Sequence, residues 1–373
     1  MKRVTIKHFL NKSTRRVQIL SISLVLLIGV IGFAYYVSVV NGSSVNAFSG
    51  QGVGSDDDPY QITTCVQLQQ AGRESRNNYV LMNDIDCSDT INWNNGAGFA
   101  PIQTGYLNFD GRNFAIKDLY INRPTELNVG LFDLRDGGEI RHLKLEKSSS
   151  NQNRIDINGA RNVGAVSGQY SGTLWNVRSS LNVQANGAAD GYDGAEINSG
   201  GLVGKLTGAI YISSASGNVT IASNNQAGRS ASIGGLVGQY TIEDPNNGWE
   251  RQINDSYATG SVSAGSGATV PTSNCGGLVG SAVVSKGVND LQSNGSIAIR
   301  RTYSSGPVSC VNPAVTMRAG GLIGLIQNSG DSQKITQLQN NFSVSQVTSN
   351  QGSAFGLFGE YINSNNLDRK SVV

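Results

Sequence analysis

One glycine-bracketed pentad returns through the whole length of this chain and limits what it can fold into. Gly200-Gly201-Leu202-Val203-Gly204 recurs as Gly234-Gly235-Leu236-Val237-Gly238, Gly276-Gly277-Leu278-Val279-Gly280 and Gly320-Gly321-Leu322-Ile323-Gly324, with looser copies around Gly130, Gly164 and Gly356 to Gly359. Taking Leu131, Ala165, Leu202, Leu236, Leu278, Leu322 and Leu357 as centres, the steps are 34, 37, 34, 42, 44 and 35 residues. Self-similarity at such a period is the mark of a stacked array, in which one repeat cannot bury its apolar face alone and neighbours complete it. The segments between pentads alternate apolar and polar residues with a strand period of two, as in residues 253–257, residues 299–303 and Ser261-Val262-Ser263-Ala264. The expected fold is all-β, a right-handed β-helix or β-solenoid of about seven repeats. The pentad glycines (Gly130, Gly164, Gly201, Gly204, Gly235, Gly238, Gly277, Gly280, Gly321, Gly324, Gly356 and Gly359) are expected at corners, where positive φ and close backbone approach favour them. The long steps leave loops, residues 243–249 and 265–274, to project from the stack.

Before the repeats the chain reads differently. Residues 1–16 are basic and residues 17–40 are mostly apolar without charge, long enough to span a bilayer. Positive charge ahead of the span predicts a cytoplasmic N-terminus and an extracellular body, a single-pass signal-anchor in the cell membrane. The alternative is secretion after cleavage near Ala47, where small residues stand at suitable positions. Residues 41–55 form a small-residue spacer and residues 56–98 a cap with the first strands. Within the cap, residues 64–73 read as a short capping helix with Val66, Leu68 and Ala71 available to pack. Repeats occupy residues 99–362 and a tail residues 363–373. Its last six residues, Asp368 to Val373, equal the translation of a sequencing-adapter read, GATCGGAAGAGCGTCGTG, so the natural chain is expected to continue.

Charge argues against a nucleic-acid partner. Six of the 28 basic and none of the 26 acidic residues lie in the first 40 positions, so the body holds 22 basic against 26 acidic residues, a net −4 without a basic stripe.

The repeats resemble the GLUG motif of bacterial surface and secreted proteins. The lead-in is similar too, through Asp58-Pro59-Tyr60-Gln61-Ile62, Asn83-Asp84-Ile85-Asp86 and Phe109-Asp110-Gly111, so the resemblance covers about residues 56–362. It implies an exported β-solenoid within a larger adhesin-like protein and supplies no catalytic residue. Ala165 in place of leucine and Asp133 in place of the closing glycine depart from the pattern.

Candidate chemistry is sparse. His142 is the sole histidine of the exported body, expected on an alternating strand, so neither a histidine-rich metal site nor an HExxH helix can be built. Asp84 and Asp86, two apart, could form an acid pair or, with Asp89, bind calcium, though turn formation is the simpler role. Asp56 to Asp58 read as a solvated turn, and Asp190, Asp193 and Glu196 lack EF-hand spacing. No cofactor or metal is expected. Four cysteines in an exported body suggest two disulfides. Locality favours Cys65 with Cys87, and a one-repeat step favours Cys275 with Cys310. The sequons at Asn218, Asn254, Asn294 and Asn341 carry little weight. The expected function is a cell-surface stalk or adhesion surface without enzymatic activity, meeting a glycan or a cell-surface protein through exposed aromatics near the longest insertions: Tyr240, Trp249 and Tyr257. The alternative is a carbohydrate-active β-helix enzyme, a glycoside hydrolase or lyase using grouped carboxylates.

Overall fold

The computed structural model describes residues 48–72, 77–134, 137–151, 153–187, 196–222, 230–242, 251–264, 272–284, 297–311, 316–328, 337–350 and 352–363. Residues 48–373 form one compact unit. The expected anchor at residues 17–40, the cleavage site near Ala47 and the terminal six residues lie outside the described residues. Among the described residues no helix is long and apolar enough to cross a membrane.

The body is a parallel β-solenoid. Its strands fall into five sheets, each built from strands one repeat apart, and every described strand pairing is parallel. Each turn of the coil contributes one strand to each sheet, numbered I to V in chain order. The first complete rung runs Leu107–Asp110, Ala115–Lys117, Ile121–Arg123, Asn128–Val129 and Phe132–Leu134. The seventh runs Gln337–Gln339, Phe342–Ser343, Val347–Ser349, Gly352–Phe355 and Phe358–Asn363. Stacking satisfies backbone groups between rungs and joins their short apolar faces into one core. Thus Phe109, Ile140, Leu174, Ile210, Ile253 and Ile299 form a column behind sheet I, each at most 1 % exposed.

Ahead of the first complete rung lie strands Tyr60–Ile62 and Asn77–Leu81 of sheet I, Ile85–Asp86 of sheet II and Ile102–Thr104 of sheet V. The capping helix is Cys65–Gln70, with Thr64 as its N-cap accepting from the Gln67 amide. It buries Leu68 and Ala71 but leaves Val66 56 % exposed, so Val66 is not a packing residue as expected. The Cys65–Cys87 disulfide ties the helix to the start of a 3-10 segment, Ser88–Gly96. The second disulfide, Cys275–Cys310, joins sheet IV of the fifth rung to sheet III of the sixth.

Two expectations about corners need correction. Residues 253–257 and 299–303 are not single strands. In each the chain leaves sheet I at Asn254 or Arg300, passes one residue with positive φ, and enters sheet II at Tyr257 or Tyr303. That residue recurs in every later rung as His142, Asn176, Ile212, Asp255, Arg301 and Asn340, with φ between 50° and 54°. His142 therefore sits at a corner and not within an alternating strand. Hydroxyls help to hold the bend: Ser213 donates to the Tyr211 carbonyl and Ser256 to that of Asn254, at 2.8 and 2.7 Å.

The pentad glycines, by contrast, do not use positive φ. The described glycines that do are Gly52, Gly54, Gly72, Gly96, Gly98, Gly137, Gly138 and Gly187, all outside the pentads. What the pentads need is room. A Cβ on Gly235 would lie 2.1 Å from the Gly277 carbonyl oxygen one rung on, and a Cβ on Gly204 would lie 2.5 Å from the Val163 amide nitrogen in sheet IV. Sheets IV and V thus fold back to back at a spacing only glycine permits. Between them lies a buried polar layer in which Asn198 donates to Asn162 at 2.9 Å, Asn162 to Asn128 at 2.8 Å, and the Ser232 and Ser281 hydroxyls meet at 2.8 Å. The register also shows that Val166 takes the place of Leu202 and Ala165 that of Gly201, so the second copy keeps its apolar residue one position later than expected. Leu131 remains fully buried beside Asp133.

Candidate ligand surface

Among the described aromatic residues, Trp175, Tyr211, Tyr257, Tyr303 and Phe342 lie along the edge between sheets I and II, whereas the exposed Tyr106 lies ahead of sheet I in the first rung. On sheet II, register brings Tyr257, Tyr303 and Phe342 of successive rungs into a stack, with ring centroids 4.7 Å apart at 6° and 5.2 Å apart at 8°. On sheet I, Trp175 and Tyr211 pair at 5.2 Å. Trp175 is 41 % exposed, Ile212 at the corner 44 % and Phe342 55 %. Rings within the stack cover one another's faces, and desolvation with the neighbouring Tyr257 raises the Tyr303 phenol above its ordinary pKa. Two faces remain. One is the outer face of Phe342, and the other is the face of Tyr257 that looks toward Ser214, its small register partner in the fourth rung. Continuing down the same column come Arg178, which is exposed, and Lys144. The sheet II column is therefore aromatic at one end and basic at the other, and Trp175 on sheet I stands in the same rung as Arg178.

This surface differs from the one expected. Tyr257 belongs to it. Tyr240 does not: its side chain is fully buried and its hydroxyl donates to the Gly208 carbonyl at 3.1 Å, because sheet V is covered on both faces. Trp249 lies outside the described residues, as do residues 243–250, Asp190 and Asp193. Glu196 accepts from Gln239 in sheet V. Trp175, Tyr211, Tyr303 and Phe342 were missed, although each closes or opens a short strand in the same place of successive repeats.

Four aspartates, Asp84, Asp86, Asp110 and Asp156, are occupied with the fold. Asp84 accepts from Lys117 at 2.8 Å and from the Ala115 amide at 2.9 Å, and these partners hold its carboxyl below the usual range. Asp86 accepts from the Ser88 amide at 2.8 Å at the start of the 3-10 segment. A groove of about 280 Å³ on sheet I brings Asp56, Asn78, Asn108, Asp110, Glu139 and Arg141 together. Burial pushes Asp110 up, but the Arg112 amide and the Arg141 guanidinium outweigh it and keep the carboxylate ionised below its ordinary range. His142 Nδ1 lies 3.3 Å from Asp110 Oδ1. Asp156, raised by burial, is completely enclosed and bound to Arg154 at 2.8 Å and to the Asn182 amide. Neither proton-holding nor nucleophilic work is open to it. Among the described residues no group of three or more histidine, cysteine, aspartate or glutamate residues could hold a metal ion.

Comparison with known proteins gives two likenesses, and no family model matches the chain. Halomucin of Haloquadratum walsbyi (strain DSM 16790 / HBSQ001) is 31 % identical over 299 residues, which cover 72 % of this chain but only 3 % of that protein. Among solved structures, the chain is similar to a Bacteroides ovatus protein described as a "putative immunoglobulin A1 protease", with TM-score 0.52 and 19 % identity over 82 % of this chain and 85 % of the other. At that identity the second likeness shows the fold alone.

Proposed function

We propose that this protein is an extracytoplasmic surface protein of the GLUG-repeat type, held by residues 17–40, whose sheet I–II edge binds polymeric carbohydrate. The observation that carries the reading is the strip of Trp175, Tyr211, Ile212, Tyr257, Tyr303 and Phe342 on one edge of a rigid stack. Sugar rings present apolar C–H faces to aromatic side chains, and here the face of Tyr257 toward Ser214, the outer face of Phe342 and the exposed Trp175 offer such contacts. Lys144 and Arg178 at one end favour chains bearing carboxylates or sulfates. Two disulfides support an oxidising compartment, and the likeness to a protein named as a mucin agrees with an outer location. The reading is non-enzymatic, supported by Asp84, Asp86, Asp110 and Asp156 each holding a structural partner.

A glycan array probed with the full chain in mild detergent tests it. Binding to acidic polysaccharides should fall at least about tenfold in Trp175→Ala and Tyr257→Ala, a loss of the size expected for a stacked aromatic. Binding that survives both changes, or reducing ends released from the bound glycan, rejects the reading.

A further inference from the structure

The groove of about 280 Å³ on sheet I adjoins the Trp175–Tyr211 pair, yet its charge is opposite to that of the nearby basic column. Register sets Asp110, Arg141, Trp175 and Tyr211 in one column over four successive rungs, so on the side away from Tyr211 the neighbour of Trp175 is Arg141, at the rim of the groove. Glu139 and Arg141 flank the buried Ile140 and face outward together, as Trp175 does. Below them the groove wall is held by a ladder: the Glu139 amide donates to Asn108 Oδ1 at 3.1 Å, Asn108 Nδ2 to Asn78 Oδ1 at 2.9 Å, and Asn78 Nδ2 to Asp56 Oδ1 at 2.8 Å. The second N–H of Asn108 and the second carboxylate oxygen of Asp56 are left over for a ligand. Asp56, Asp110 and Glu139 set three carboxylates around the groove against the one guanidinium of Arg141. Across the corner stand Lys144 and Arg178.

Building on the carbohydrate reading above, we propose that this groove is a subsite for an uncharged sugar, so that the ligand is a polymer in which acidic and uncharged sugars alternate. The acidic unit lies against Trp175 with its anion toward Arg178 and Lys144, and the next unit along sheet I enters the groove. Rungs rise by about 4.8 Å, close to the advance of one sugar in an extended chain, so neighbouring sugars meet neighbouring rungs. Sugar hydroxyls both donate and accept, which suits a wall that offers carboxylate oxygens beside amide and guanidinium N–H groups. A second acidic sugar would instead bring its anion against Glu139, Asp56 and Asp110, and Asp110 is kept ionised by the Arg112 amide and the Arg141 guanidinium. Like charges so placed repel.

Calorimetric titration of the full chain in mild detergent compares two probes of equal length: hyaluronan oligosaccharides, in which uronate and uncharged N-acetylated sugars alternate, and oligogalacturonates, in which every sugar is charged. Hyaluronan should bind at least about tenfold more tightly. Glu139→Lys changes a half-exposed residue whose contact with Arg141 is 3.7 Å long, so it should fold like the wild type while closing most of that gap by strengthening oligogalacturonate binding. Glu139→Gln, which removes the charge and keeps the shape, should close part of it. Trp175→Ala should weaken both probes. Trp175-dependent binding of oligogalacturonate as tight as that of hyaluronan, or a gap that survives both changes at Glu139, overturns the groove assignment alone. Binding of neither probe overturns it together with the carbohydrate reading.

Discussion

Ile212 is the residue least suited to its backbone. It is β-branched at φ 53°, in a column whose other members are His142, Asn176, Asp255, Arg301 and Asn340. A left-handed conformation costs an L-residue roughly 1–2 kcal/mol, and asparagine tolerates it better. Ile212→Asn should therefore raise stability by about 1 kcal/mol in a denaturant melt while weakening glycan binding, a split that marks a residue kept for its surface. Gly235→Val has the opposite logic. Its side chain would strike the Gly277 carbonyl, which the ladder holds in place, so a loss of about 3 kcal/mol or more is expected. Acid tests a third residue. Because the folded pKa of Asp110 lies below its unfolded value, near 3.9, its contribution is fully present above the unfolded pKa and disappears as pH falls through the folded one. Asp110→Asn should lower the melting temperature at neutral pH, and the gap from the wild type should close below about pH 4.

At the scale of the strand, the bond between Cys275 and Cys310 spans 35 residues, one repeat. Removing both sulfurs by Cys275→Ser with Cys310→Ser should cost about 2–5 kcal/mol, read from melts that no longer respond to reductant at this site. How well single elements could be read from the chain depended on what marked them. The Gly-Gly corners between sheets IV and V were visible, since four copies keep both glycines at a place where a Cβ would strike the next rung. The sheet I–II corners were hidden, because the corner residue changes type from rung to rung, from Ile212 to Asp255 to Arg301, and its neighbours keep an alternating pattern straight through the bend. The surface aromatics were misjudged for a related reason. Alternation reports two faces of a strand but not which is wet, and sheet V, packed by the core on one side and sheet IV on the other, leaves Tyr240 no solvent. Both cysteine pairs were legible because locality and a one-repeat step are properties of the sequence.

For the molecule as a whole, the period alone announced a stack, yet it could not announce five sheets per turn, since strands of two or three residues fall below what a pattern of two can resolve. Deleting residues 1–47 should give a far-ultraviolet circular dichroism spectrum dominated by strand, and a dominant helical signal would contradict the stack. Hydrogen bonds in such a stack run along its axis, so tension applied at the two ends peels rungs from the exposed end instead of shearing many bonds together. Peeling by this route passes from Cys310 directly to Cys275. The bond to Cys275 withholds 35 residues, roughly 120 Å of chain at full extension, which a single-molecule pull should recover only after reduction. Built this way, the stack lengthens under tension rung by rung, but by one repeat less for as long as the bond is intact.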